Sequence, residues 1–225
     1  MGWGDELMAC GAAKALSAAD SAHRKVRIMG FFGEVRWHDI FEAAPVVARP
    51  GEKGDFLQLT HSSRCRPYIH CHEGLISKDP AIDRFLWRAT TQTPAGLTIP
   101  PRKESAGILL LHPHIKPQAS PNKRWPFEKW RVLSSLLLQE GFRVGQLVFG
   151  SIPRLPGVAH LYSPTWRDAA GLIAGCKGIV CQEGFCHHAA AAFGTKAVVL
   201  YGHYISPRVT GYPGQSNIVF EHPDS

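Results

Sequence analysis

From Gly107 onward, short apolar runs alternate with longer segments of helical period, and this alternation restricts the fold more than any other feature of the sequence. Gly107 to Leu111 (GILLL) is an apolar run ending at His112-Pro113, which predicts a buried strand opening into a loop. The loop, HPHIKPQASPNK, carries three prolines and no apolar periodicity. A helix is predicted from Pro126, a favourable first-turn residue. Phe127, Trp130, Leu133, Leu136 and Leu137 would line one face, and Gly141 would stop it. Val144 to Phe149 reads as the next strand. Pro164 to Ala174 reads as a helix with Trp166, Ala169, Ala170 and Ile173 on one side. Gly178 to Cys181 follows as a strand, Gly184 to Phe193 as an alanine-rich helix, and Ala197 to Tyr201 and Asn217 to Phe220 as two further strands. Strands and helices alternating at this spacing predict a parallel sheet covered on both faces. Such sheets take ligands beyond the carboxyl ends of their strands.

The first half carries weaker signals. Asp5 to Ala19 reads as a helix and Lys25 to Met29 as a strand, with Val46 to Ala48 and Phe56 to Leu59 as lesser strand candidates. Ala81 to Trp87 reads as a helix, and the proline-rich stretch from Thr91 to Pro101 as an interdomain connection. The 225 residues are enough for two domains of roughly 100 residues each, with expected bounds of 1–104 and 105–225.

No apolar run approaches the roughly 20 residues that cross a bilayer, and MGWGDELMAC lacks the pattern of a secretory signal, so a cytoplasmic protein is expected. None of the six cysteines forms a CxxC pair. Buried reduced thiols are therefore expected rather than a structural zinc site. His70-Cys71-His72 is a poor metal motif, because adjacent side chains on a strand point to opposite faces. The net charge of +7 points to an anionic partner: a nucleotide diphosphate, a phosphorylated glycan or nucleic acid.

Four motifs fall where ligands would bind. In Cys181-Gln182-Glu183-Gly184-Phe185-Cys186-His187-His188, a strand ends, glycine permits a tight turn, and a helix of small residues begins. Its free N–H groups and positive dipole end suit a pyrophosphate, although strand–turn–helix packing alone would also use this pattern. Lys123-Arg124-Trp125-Pro126 sets two cations before a helix, against the helix dipole, where they could neutralise a diphosphate leaving group. Gly2-Trp3-Gly4-Asp5 runs into a helix, so Asp5 reads equally as an N-terminal cap or as a general base. Tyr201 to Tyr212, with Gly202, His203, Arg208 and Thr210, follows a strand and reads as a ligand-contacting loop.

Together these segments resemble glycosyltransferase family 9, the ADP-heptose:lipopolysaccharide heptosyltransferase group. KRWP..KW, EGFCHHAAAAFGTKAVVLYG and GWGDELMA occur in the family's order. They are particularly similar to a compact subgroup from bacterial and bacteriophage genomes, which Arg66-Pro67-Tyr68-Ile69 and Pro207-Arg208-Val209-Thr210-Gly211-Tyr212 also match. The resemblance implies a GT-B-like α/β fold of two Rossmann-like lobes with parallel sheets. Residues 1–104 would be a reduced acceptor-side lobe and 105–225 the nucleotide-sugar lobe. It implies inverting transfer with no metal or other cofactor, from a nucleotide-diphospho-sugar to a hydroxyl acceptor. Asp5 would be the base. His112, Lys123, Arg124, Glu183, Gly184, His187, His188 and Gly202 would bind the donor, and His203, Arg208, Thr210, Arg66 and Tyr68 would contact sugar or acceptor.

The sequence departs from the family in three places. Gln182 or Glu183 stands where the family has an aspartate, only Met1 to Gly4 precede Asp5 where the family has a complete first strand, and the sequence reaches Ser225 where relatives continue through a cysteine-bearing segment and a closing helix, so either a trimmed or partial chain or a minimal version is expected. The acceptor would be an anionic glycan of lipopolysaccharide type or, as an alternative, hydroxymethylated bases of phage DNA. A catalytically inactive nucleotide-binding or scaffold protein is the rival from another class.

Overall fold

The computed structural model of the chain describes residues 2–30, 32–61, 93–202 and 204–220. The chain divides into two compact α/β units, 1–98 with 208–213 and 99–207 with 214–225.

In the first unit, α1 (Trp3–Ala19) is followed by β1 (Val26–Met29), α2 (Asp39–Glu42) and β2 (Leu57–Thr60). β1 and β2 pair in parallel, with Val26 opposite Leu57 and Met29 opposite Thr60. Leu7, Met8, Ala9, Cys10, Ala12 and Ala13 of α1 are buried, a run of mostly small side chains that lets the helix lie close on its neighbours. The expected strand at Val46 to Ala48 reduces to a single parallel bridge between Val47 and Val26. The helix expected at Ala81 to Trp87 and the run His70-Cys71-His72 lie outside the described residues.

The second unit runs β3 (Leu109–His112), α3 (Phe127–Gln139), β4 (Val144–Val148), β5 (Ala159–Tyr162), α4 (Trp166–Gly175), β6 (Gly178–Gln182), α5 (Phe185–Phe193), β7 (Ala197–Tyr201) and β8 (Ser216–Val219); in chain order the short α6 (Pro207–Thr210) falls between the last two strands, and all of it after Pro207 belongs to the first unit. All six strands are parallel, in the order β5-β4-β3-β6-β7-β8. The chain leaves β3 in one direction and resumes on its other side at β6. The crevice beyond the carboxyl ends of β3 and β6 is therefore the expected ligand position of a doubly wound sheet. The core beneath it contains Leu111, Trp130, Val144, Leu155, Val180 and Leu200.

Two expectations are corrected here. β5 was not anticipated: it is four residues long and partly exposed at the sheet edge, so it carries little apolar pattern. On α3, Trp130 is fully buried and Phe127, Leu133 and Leu137 pack on the core, but Leu136 is 53% exposed. At 3.6 residues per turn, Leu136 falls about 120° round the helix from Trp130, off the inward face, while Ser134 lies within about 40° of Trp130 and takes the inward place.

Candidate functional site

β6 is buried along its length and delivers Gln182, Glu183 and Gly184 to the crevice. Gly184 has φ 150° and ψ −156°, a region that L side chains rarely adopt. A Cβ there would meet nothing within 4 Å, so the turn demands glycine for its conformation, and the space before α5 stays open. The positive end of the α5 dipole faces that space.

The loop bearing Lys123 is fixed from two sides. The Gln182 side chain donates from Nε2 to the Pro113 carbonyl at 3.1 Å and accepts the Trp125 N–H at 2.5 Å. On the other side, a Cβ on Gly202 would run into the Asn122 carbonyl oxygen and the Phe220 ring, so backbone packs on backbone there. Gln182 is thus committed to holding the loop. Lys123 Nζ forms an ion pair with the Glu183 carboxylate and lies 4.6 Å from the centre of the Tyr204 ring. Arg124 diverges: its exposed guanidinium donates to the Pro117 carbonyl at 3.4 Å. The two cations of the motif are therefore split, and only Lys123 reaches the turn.

His187 and His188, in the first turn of α5, are buried with ring centroids 3.8 Å apart. The Gly184 N–H donates to His187 Nδ1 at 2.9 Å, so the neutral ring carries its proton on Nε2. Burial first, then His187 and Lys123, push the pKa of His188 well below the ordinary range, and the ring is neutral at pH 7. Glu183, His187 and His188 each bring one potential metal-ligand atom within 4.8 Å of the others, a two-histidine, one-carboxylate set. The residues present fit a metal poorly. The lysine ammonium already sits on the carboxylate, a backbone N–H takes up Nδ1 of His187, and the helix dipole repels a cation. The arrangement suits an anion better. Next to these residues Cys181 and Cys186 are buried, their thiol pKa values raised chiefly by burial.

His112 ends β3 in the same unit, edge-on to Phe149 at 5.2 Å and to His114 at 6.2 Å. Burial and then His114 lower its pKa to about 3, and its Nε2 is shut off from solvent with no hydrogen-bond partner. Of the expected donor residues, then, Lys123, Glu183, Gly184, His187 and His188 form one cluster, and Gly202 serves packing. Arg66, Tyr68 and His203 lie outside the described residues, and Asp5, Arg208 and Thr210 belong to the first unit.

In that unit α1 starts at Trp3, so Asp5 stands in its first turn, mostly buried, with Oδ2 accepting the Gly2 N–H at 2.9 Å. This is the capping contact that the local sequence allows, and it holds the carboxylate in one orientation. Sequence reasoning missed the charged group beside it. Glu6 is 1% exposed and accepts two bonds from Arg36, at 2.7 and 2.5 Å, while His61 Nε2 lies 3.4 Å away. Burial alone would raise the Glu6 pKa, but His61 and Arg36 outweigh it and hold the group at about 2. Only the acidic pair Asp5-Glu6 signals the cluster in the sequence. Arg36 and His61 are far off in the chain and come together because His61 directly follows β2 and Arg36 bonds back to β1.

No protein-family model matches the chain, and no curated protein matches it. Solved structures do. E. coli heptosyltransferase WaaC with ADP superposes with a TM-score of 0.60 at 16% identity, over 99% of this chain and 91% of that one. E. coli ADP-heptose lps heptosyltransferase II matches with a TM-score of 0.57 at 16% identity, over 97% and 87%. A family 9 glycosyl transferase from Veillonella parvula DSM 2008 gives 0.57 at 12% identity, over 100% and 84%.

The fold is that of the heptosyltransferases. The GT-B-like α/β architecture expected from the motifs is present, with the heptosyltransferase-like first unit reduced to the two strands β1 and β2 among the described residues.

Proposed function

We propose that the chain is an inverting, metal-independent glycosyltransferase that moves a sugar from a nucleotide-diphospho-sugar to a hydroxyl acceptor. The observation that carries this reading is the convergence of Lys123 and the open N-terminus of α5 on the Gly184 turn, beyond the carboxyl ends of a doubly wound sheet. Its likeness in fold to heptosyltransferases, one of them solved with ADP, supports the same reading.

In this mechanism Asp5 takes the proton of the acceptor hydroxyl. The hydroxyl oxygen forms a bond to the anomeric carbon from the face opposite the diphosphate. The carbon–oxygen bond to phosphate breaks, and the nucleoside diphosphate leaves with the electron pair, its charge stabilised by Lys123, His187 and the helix dipole. The net charge of +7 favours an anionic acceptor, a phosphorylated glycan or DNA.

The test is a panel of nucleotide sugars assayed for binding by thermal shift and for hydrolysis or transfer. Asp5→Ala is expected to abolish transfer with donor binding nearly unchanged. Equal loss of both would refute the assignment of Asp5, and binding with no turnover on any acceptor would favour an inactive nucleotide-binding protein.

A further inference from the structure

A site built to attract an anion contains a carboxylate of its own. The Glu183 side chain is 9% exposed and faces Lys123, so its charge is poorly screened by water. A group in that place lowers the affinity of the turn for any phosphate, and a simple phosphate trap has no use for it. Burying the pair is no route to stability either, because taking both charges out of water offsets much of their attraction.

We propose that Glu183 is a specificity-determining residue that filters ligands by charge. This rests on the reading of the Gly184 turn as a diphosphate site. Glu183 holds Lys123. A diphosphate that takes the lysine leaves Glu183 facing the anion at short range, and the repulsion grows with the charge of the ligand. A free nucleoside diphosphate carries about one negative charge more than its sugar ester, because its terminal phosphate ionises a second time. Glu183 therefore disfavours the product, and any nucleoside triphosphate, more than the sugar donor. It keeps the site from filling with spent nucleotide and speeds product release.

Calorimetric titration of the full chain with ADP, UDP and GDP, and with ADP-glucose, UDP-glucose and GDP-mannose, tests the filter. Glu183→Gln is expected to tighten binding of the free diphosphates about tenfold and of the sugar esters about threefold, narrowing the preference for the ester. Lys123→Met, which leaves the carboxylate uncompensated, is expected to move the ratio the other way and weaken the diphosphates more than the esters. Equal shifts for both ligand classes, in either variant that folds, overturn the filter while leaving the diphosphate site in place. If the unsubstituted protein binds no member of the panel, the diphosphate reading itself fails and the filter with it.

Discussion

At the scale of single residues, the Gly184 turn depends on backbone freedom and on one cation. Gly184→Ala is expected to cost about 1–3 kcal/mol of stability, from the strain of a side chain at that backbone conformation. Crowding contributes nothing there, since a Cβ would meet no atom. Chemical denaturation of the purified variant measures the cost. Lys123→Met is expected to reduce kcat/KM by about a hundredfold, since it removes the only cation that the motif brings to the turn. Steady-state kinetics with the donor found in the panel would show this. Arg124→Met, which removes a charge bonded to a loop carbonyl, should change kcat/KM by less than about threefold. Comparable losses in both variants would mean that the two cations act together after all. A donor-turnover rate unchanged by a chelator is a further expectation, given that an ammonium and a backbone N–H occupy the atoms a metal would need.

At the scale of elements, the first unit is tied together by the pair that buried Glu6 makes with half-buried Arg36. Its Glu6 pKa is depressed from 4.5 to about 2, so the stability it contributes is present above about pH 4.5 and is lost as pH falls toward 2. Arg36→Ala is expected to destabilise this unit by about 3 kcal/mol, because it leaves a carboxylate buried beside a histidine alone. Thermal unfolding followed between pH 2 and 6 should show the acid sensitivity shrink in Glu6→Gln. This pair also marks the limit of what the sequence discloses. The elements of the second unit were legible because each carries a run or a period of its own, as GILLL and the alanines of α5 do. β5 has no such pattern, and Leu136 belongs to an apolar run whose inward side is set by Trp130. Gln182 could be read as a departure from the family's aspartate, but its bonds to Pro113 and Trp125 come from a loop more than fifty residues away. Long-range polar pairing leaves no local trace.

At the scale of the whole molecule, 43 charged side chains give a net +7, and no helix among the described residues is long and apolar enough to cross a membrane. An acceptor that is DNA should bind with an affinity falling steeply as salt rises, whereas a short phosphorylated glycan, releasing few counterions, should give a shallow slope. Binding measured from about 50 to 200 mM salt separates the two acceptor classes. The buried thiols of the second unit have a consequence for handling and measurement. Cys181 and Cys186 sit beneath the residues assigned to the donor, sealed from solvent and held as thiols. An alkylating reagent can reach them only when the interior comes apart, so the rate of their labelling is a clock for opening of that half of the chain, and a tight-fitting donor analogue should slow it.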